Sequence, residues 1–417
     1  MSSALVLKNA RYMFYEKVLK LVGNFVASIL IANLLGPKDY GTYAFVLSFV
    51  YIFLPIIDFG MTEFIIKDLT NKSQTSEILI KSLKYRFITS LLMIVTTLLS
   101  FKFIFPEKNE LTSYIVIFSV SFIFRSLDVI YHFFQSQLKN YIIAKTHNLI
   151  FLVLFFAKII AVYLSGNILT FLLISAFENI LQGFLYFYAL KRDQFKFTFS
   201  KTKYQIKPYL KPATPILIST LLGTLYLKLD HVFIQKFLTA TDLGAYSLAS
   251  RFINVTVFIP ETIAILGFPL LVKNFTKETI QRYLSIGMLA GLITTILIST
   301  ILPLCLGLFL KSSFSDSLVL LRYLSILIIP MFFNLINVRL LMLANNFEII
   351  FIQNTIIFFS NVVLNFLLIS HFKLYGVIAA TLLSYLIGFI IISLISQDYR
   401  FYVKSYLFPK LSNLLYK

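Results

Sequence analysis

Residues 349–370 read IIFIQNTIIFFSNVVLNFLLIS and residues 374–396 read LYGVIAATLLSYLIGFIIISLIS, separated only by His371-Phe372-Lys373. Neither run holds an acidic or basic residue. Each has about the 20 residues an α-helix needs to cross a hydrocarbon layer about 30 Å thick. The pair therefore reads as two membrane crossings joined by a tight turn. Working outward, Leu284–Leu310 and Phe87–Phe101 have the same character. Of the 417 residues, 59% are hydrophobic and 13% charged, against about a quarter charged in soluble domains. With a mean hydropathy of +0.86, the apolar solvent is lipid.

Twelve spans are predicted, near 14–34, 43–60, 86–105, 112–136, 148–164, 168–190, 213–236, 243–271, 284–310, 318–343, 349–370 and 374–396. The start of the sequence has no pattern of a cleavable signal peptide. The one cysteine, Cys305, lies within a predicted span, which excludes an intramolecular disulfide and a thiolate metal cluster. A net charge of +19 on a soluble chain would suggest nucleic acid. Here the charge sorts by side: 24 basic residues fall on the segments that include both termini, and five (Lys38, Lys102, Lys108, Lys311 and Lys373) on the other. Arg86 is counted with the first group. Positive residues favour the cytoplasmic side, so both termini are expected there, with no nucleic-acid partner. The loops are too short for an extramembrane domain.

The first half repeats in the second. With an offset of 203, Asp39-Tyr40-Gly41-Thr42-Tyr43-Ala44 falls on Asp242-Leu243-Gly244-Ala245-Tyr246-Ser247. Further on, Leu138-Lys139-Asn140 resembles Leu343-Ala344-Asn345. Six spans separate the copies, so the halves share orientation, as in transporters built from parallel repeats. The fold class expected is all-α, polytopic, with two parallel six-helix repeats around a central cavity. Residues 1–200 form one lobe, 201–396 the other, and 397–417 a basic cytoplasmic tail. Asp39 and Asp242 are read as helix caps. Gly41 and Gly244 are read as turn formers or points of close helix contact.

A charge in mid-bilayer costs about 2.5–3.5 kcal/mol on the insertion scale, so the polar residues within spans carry the functional question. In span four Arg125, Asp128, His132 and Gln135 step along one helical face; this is either an internal salt bridge or a cavity wall. Span one shows Glu16, Lys20, Asn24 and Ser28 at intervals of four; span five has Lys158; span six has Glu178, Asn179 and Gln182. Span seven carries Lys228, Asp230 and His231; span eight carries Arg251 and Asn254 and continues to Glu261 on one arc. Span eleven shows Asn354, Asn361 and Asn365. Each alone suits interhelical hydrogen bonding; together they point to a wet cavity. Arg125, Lys158, Lys228, Arg251 and Gln135 are the candidate contacts for an anionic substrate, since guanidinium matches phosphate. Asp128, Glu178, Asp230 and Glu261 are the candidates for a coupling proton or sodium ion. Asp58 is placed at the rim. Pro55, Pro260, Pro269, Pro303 and Pro330 mark kinks. No phosphate-binding glycine loop, metalloprotease motif, metal cluster or nucleotide-binding domain is present, so no enzyme activity and no cofactor are expected.

These motifs resemble the polysaccharide transporter and O-antigen flippase branch of the multidrug/oligosaccharidyl-lipid/polysaccharide (MOP) exporter superfamily. Leu35-Gly36-Pro37-Lys38-Asp39-Tyr40-Gly41-Thr42-Tyr43 is similar to its L-G-x-x-x-Y-G-x-Y between spans one and two. Leu229-Asp230-His231-Val232-Phe233-Ile234 followed by residues 242–251 resembles its signature for spans seven and eight. Residues 133–138 and 375–381 match further family patterns. The resemblance implies two six-helix lobes and alternating access. The cargo implied is an undecaprenyl-diphosphate-linked oligosaccharide, carried to the periplasmic leaflet for O-antigen, lipopolysaccharide or capsule-type polysaccharide biosynthesis. By that resemblance Asp230 and Arg251 hold characteristic polar positions. The partners expected are the lipid-linked oligosaccharide, membrane lipids and the glycan polymerase machinery. Lacking spans thirteen and fourteen, the chain departs from the peptidoglycan-precursor flippases of the superfamily. The alternatives are a multidrug exporter of the same superfamily, against which the basic spans argue, and a membrane-embedded polymerase or ligase, against which the short outer loops argue.

Overall fold

In the computed structural model, residues 3–71, 75–193, 195 and 205–409 are described, with side chains from residue 19 onward except at 71, 269 and 270. The described residues are almost entirely helical, without a β-strand. In lipid a backbone must satisfy its own hydrogen bonds, and continuous helices do so. Among the described residues, ten helical stretches are long and apolar enough to cross a membrane. Two of them are double. Leu19–Asp58 is divided at Gly36 (φ 73°, ψ 170°) into spans one and two, and Phe347–Ile395 at Lys373 (φ 52°, ψ −130°) into spans eleven and twelve. The other eight are Thr75–Ile104, Asn109–Ser136, Asn140–Tyr163, Ile168–Arg192, Lys207–Phe237, Ala240–Lys273, Lys277–Gly307 and Ser312–Leu343, spans three to ten. Twelve crossings result, as the sequence predicts. The tight turn read at residues 371–373 is the break at Lys373.

Irregular turns fall where proline removes a hydrogen bond to the carbonyl four residues before it. Pro260 strands the carbonyl of Thr256, where one helix of span eight ends; the next begins at Phe258. Pro303 strands that of Ser299, inside a π-helical stretch, Leu297–Ile301. Pro330 strands that of Ile326, inside a 3-10 turn, Ser325–Leu327. The break in span eight separates Arg251 from Glu261, so the single arc predicted through them is not one continuous helix.

The chain forms two compact units: Met1–Leu35 with Thr42–Val232, and Gly36–Gly41 with Phe233–Lys417. The lobe boundary predicted at 200/201 lies outside the described residues. In the first unit Met61, Ile65, Val129, Phe133 and Tyr186 form a buried core. In the second unit the two repeat glycines meet. A Cβ on Gly41 would stand 2.7 Å from Gly244 N, and a Cβ on Gly244 would stand 2.7 Å from the Pro37 carbonyl carbon. Close backbone approach is therefore what glycine provides at both. The helix cap read at Asp242 is present: Thr239 Oγ1 accepts from Asp242 N (3.1 Å), and Thr239 N donates back to Asp242 Oδ2 (3.1 Å). Such reciprocal caps satisfy two orphan donors.

Spans four and ten end alike. Leu138 and Asn345 both have positive φ (59° and 55°), and Lys139 N donates to Phe134 O as Asn346 N does to Leu341 O, each at 2.9 Å. These paired ends are 207 residues apart, so the match at 138–140 with 343–345 is shifted by two positions in the structure. Asn361 donates to Thr381 Oγ1 (3.2 Å) and Asn365 to Asn361 Oδ1 (3.0 Å), which makes that part of the stripe in span eleven a packing device. After span twelve, Gln397–Leu407 forms a helix capped by Ser396, whose Oγ accepts from Tyr399 N. Tyr399, Tyr402 and Tyr406 are buried on one face of it, so the predicted tail begins as a docked helix. Burial pushes the Tyr406 phenol well up; it stays protonated and donates to Ile329 O at 2.9 Å.

Candidate functional site

A cavity of about 240 Å³ opens within the first unit. Its walls come from four spans, and helical spacing explains which side chains arrive there. Residues three, four or seven apart share a face. Lys20, Asn24 and Ala27 follow that spacing on span one; His147, Phe151, Leu154, Phe155 and Lys158 on span five; Glu178 and Gln182 on span six; Arg125 comes from span four. Phe151 and Phe155 stack at 5.9 Å between centroids. A Cβ on Gly23 would strike the Phe151 ring, so that glycine lets span one approach span five.

Arg125 lies in a 3-10 segment, Phe122–Leu127. Its Nε meets Asp128 Oδ2 at 2.9 Å, with the two side chains 28% and 15% exposed, and its Nη1 donates to Gln182 Oε1 at 3.0 Å. Gln182 Nε2 donates to Tyr186 Oη (2.9 Å) and reaches Asp128 Oδ1 (3.4 Å). Tyr186 Oη is 2.6 Å from His147 Nε2. The network fixes Arg125 from one side while its guanidinium borders the cavity. Among the described residues, three basic side chains, Lys20, Arg125 and Lys158, therefore meet one carboxylate, Glu178, on the walls, with Asp128 held behind Arg125. The lining favours an anion. At about 240 Å³ the space is below the roughly 300–1,000 Å³ of drug-sized ligand sites.

A second polar cluster ties the end of span two and the residues after it to spans three and four. Arg86, 3% exposed, pairs with Asp58, donates to Thr62 Oγ1 (3.1 Å) and lies 3.1 Å from His132 Nε2. Thr62 donates to Asp58 Oδ1 at 2.5 Å. The arginine counted as a surface charge is thus a buried one. His132 leaves the group predicted with Arg125, because the 3-10 segment turns span four between them.

Of the sequence candidates, the structure brings Arg125, Asp128, Lys158 and Glu178 together. Gln135 lies further along span four, half-buried and outside the cavity lining. Lys228 and Asp230 are half-buried on span seven, next to His231, whose Nδ1 is 2.5 Å from Ser48 Oγ. Arg251 and Glu261 are half-buried in the second unit. Lys20, His147 and Gln182 were not nominated. The spacing of eleven between His147 and Lys158, three helical turns, is the signal that joins the first of them to the site.

Solved structures share this fold. Similarity extends to a lipid II flippase MurJ in an inward closed conformation (TM-score 0.74, 17% identity, 96% of this chain and 90% of that one). It extends also to an inward-facing multidrug resistance MATE transporter of the MOP superfamily (0.71, 12%, 91% and 95%) and to a MOP transporter from Pyrococcus furiosus (0.64, 13%, 95% and 96%). No protein of curated function matches in sequence. The fold is that of a multi-pass MOP-superfamily transporter. The chain itself belongs to the polysaccharide biosynthesis protein family, whose model matches residues 6–275.

Proposed function

We propose that the protein is a flippase that moves undecaprenyl-diphosphate-linked oligosaccharide units from the cytoplasmic to the periplasmic leaflet by ion-coupled alternating access. The observation that carries this reading is the cationic cavity of the first unit, where Lys20, Arg125 and Lys158 converge. Guanidinium and ammonium groups in a partly desolvated site bind phosphate strongly. The small volume suits a phosphate headgroup or a single sugar against Phe151 and Phe155, with the rest of the glycan outside it. Gln135, Lys228 and Arg251 are proposed as further substrate contacts. Asp128, Glu178, Asp230 and Glu261 are proposed carriers of the driving proton or sodium ion, and no cofactor takes part. The proposed site of action is the bacterial inner membrane with both termini cytoplasmic, where the glycan polymerase machinery would receive the product.

Family membership supports a role in polysaccharide synthesis, and the shared fold supports transport without chemical transformation of the cargo. Multidrug export is the second reading, favoured by the likeness to a multidrug resistance transporter. One experiment separates them: deletion of the gene, scored for lipid-linked oligosaccharide in each leaflet and for sensitivity to cationic dyes. Flipping predicts accumulation on the cytoplasmic leaflet with unchanged dye sensitivity. Accumulation on the periplasmic leaflet would indicate polymerisation, and dye hypersensitivity alone would indicate drug export.

A further inference from the structure

The second unit holds a recess of about 660 Å³ between span ten, span twelve and the helix Gln397–Leu407. Its walls include Phe333, Leu386, Phe389, Ile390, Leu394 and Tyr406. The aromatic floor is built rather than incidental. Phe333 packs edge-on to Phe389 at 4.7 Å and against Tyr406 at 5.0 Å, and the Tyr406 hydroxyl is anchored on Ile329 O. Leu386, Ile390 and Leu394 on its other wall are exposed, so the recess is open along its length.

Its two ends differ. One reaches Ile329 and Pro330, midway along span ten, and is entirely apolar. The other, where span twelve ends and the last helix begins, carries Arg400 and Lys404. They are spaced four apart on the face opposite the buried tyrosines. Arg400 Nε donates to Ser393 O at 2.9 Å, which fixes the guanidinium at the mouth. Guanidinium has five N–H donors, and one is used there. A hydrocarbon slot that runs from mid-span to a pair of cations at a span's end has the charge and polarity profile of one phospholipid: acyl chain inward, anionic phosphate outward. A zwitterionic lipid would satisfy the slot and leave the cations without net compensation.

We propose that this recess is a binding site for an anionic phospholipid, with its phosphate on Arg400 and Lys404 and its acyl chain over Phe333 and Leu386. Bound lipid would secure the docked last helix against spans ten and twelve. The site is separate from the cationic cavity of the first unit and does not depend on what that cavity carries.

The test uses the full chain, delipidated in an uncharged detergent. It is titrated by native mass spectrometry with dioleoylphosphatidylglycerol, dioleoylphosphatidylcholine and glycerol phosphate. A basic residue at a membrane surface contributes about 1 kcal/mol toward an anionic lipid, or about fivefold. The phosphatidylglycerol is expected to bind one saturable site roughly 25-fold tighter than the phosphatidylcholine. Arg400→Gln with Lys404→Gln should remove that preference, and Leu386→Trp should weaken both lipids by filling the slot. Equal affinities in the unaltered protein would overturn the proposal, as would a preference that survives the double substitution. Glycerol phosphate binding as tightly as the lipid would overturn it too, by removing the acyl chain from the site. Should the double variant fail to fold, Lys404→Gln alone, at an exposed position, is expected to lower the preference about fivefold; an unchanged ratio counts against the site. A chain ending at Pro409 should bind as the full chain does; markedly tighter lipid binding would assign the recess to residues 410–417 instead.

Discussion

Spans four and ten occupy matching places in the two copies of the repeat, and they line opposite kinds of space. Each is interrupted by a 3-10 segment, Phe122–Leu127 in the first and Ser325–Leu327 in the second, and each ends on a residue with positive φ. Span four places Arg125 at its interruption, held from behind by Asp128 and bordering a small cavity with basic walls. Span ten continues from its interruption as Ile328 to Phe333 without an acidic or basic residue, and borders a larger recess with apolar walls. Backbone irregularity is thus common to both copies, while the side chains at the irregular turn decide whether the space attracts an anion or a hydrocarbon. One architecture gives two chemistries.

The largest effect expected on the polar side comes from the arginine outside the cavity. Arg86→Ala takes the cation from Asp58, 34% exposed at its side chain, and empties a position that is itself 3% exposed. The broken pair, at about 3 kcal/mol because Asp58 keeps some solvent, and the cavity together remove about 3–5 kcal/mol. The expected result is a sharp fall in membrane abundance and in thermal stability in detergent. Normal abundance would show that the cluster of Asp58, Thr62, Arg86 and His132 is not structural. Nearly as large on the apolar side, Phe333→Ala removes the ring shared by Phe389 and Tyr406, with a loss of about 3–5 kcal/mol typical of large-to-small aromatic changes. It should lower stability while leaving the anion preference of the first unit unchanged. A change in that preference would mean the two spaces are coupled.

Arg125→Ala should separate function from stability. Arg125 is 28% exposed at its side chain against 4% for Arg86, so its truncation leaves a smaller cavity, and Asp128 keeps its contact with Gln182 Nε2 at 3.4 Å. A hydrogen bond to a charged group is worth about 1.5–3 kcal/mol, so substrate transport is expected to fall by roughly ten- to a hundredfold at near-normal abundance. Arg125→Lys should recover part of it, because lysine keeps the charge but not the forked geometry. Loss of abundance in step with transport would make the pair with Asp128 only a clamp between spans four and six.

How legible all this was in the sequence depended on the range of the signal. Long, predominantly apolar runs located the crossings, because the length requirement acts on consecutive residues. The cap at Asp242 and the paired glycines were readable for the same reason; the partner in that cap, Thr239, was not singled out. Arg125 with Asp128 was readable as a pair three apart. Arg86 was counted only as a charge at the edge of span three, since its partner Asp58 is 28 residues away and no periodicity links them. His132 was grouped with Arg125 because a 3-10 turn in span four cannot be seen in a pattern that assumes 3.6 residues per turn. The recess with apolar walls left no trace at all: Phe333, Leu386 and Tyr406 look like any lipid-facing or core residues until the last helix is found folded against the bundle.

The smallest effect expected is also the one that distinguishes phosphate from sugar in the cavity. Lys158 is half-buried, a single point charge on a flexible stem beside Phe155. Lys158→Gln removes one charge while keeping a hydrogen-bond donor of similar reach. If the cavity reads phosphate, affinity for inorganic diphosphate in the detergent-solubilised protein should fall about fivefold, as for about 1 kcal/mol, and the unaltered protein should lose affinity with added salt more steeply than the variant. Lys158→Arg should restore both. If the cavity reads sugar hydroxyls, glutamine serves nearly as well as lysine, diphosphate does not bind selectively, and salt has little effect. The sign of the difference in salt dependence therefore decides which end of the substrate rests against spans one, four, five and six.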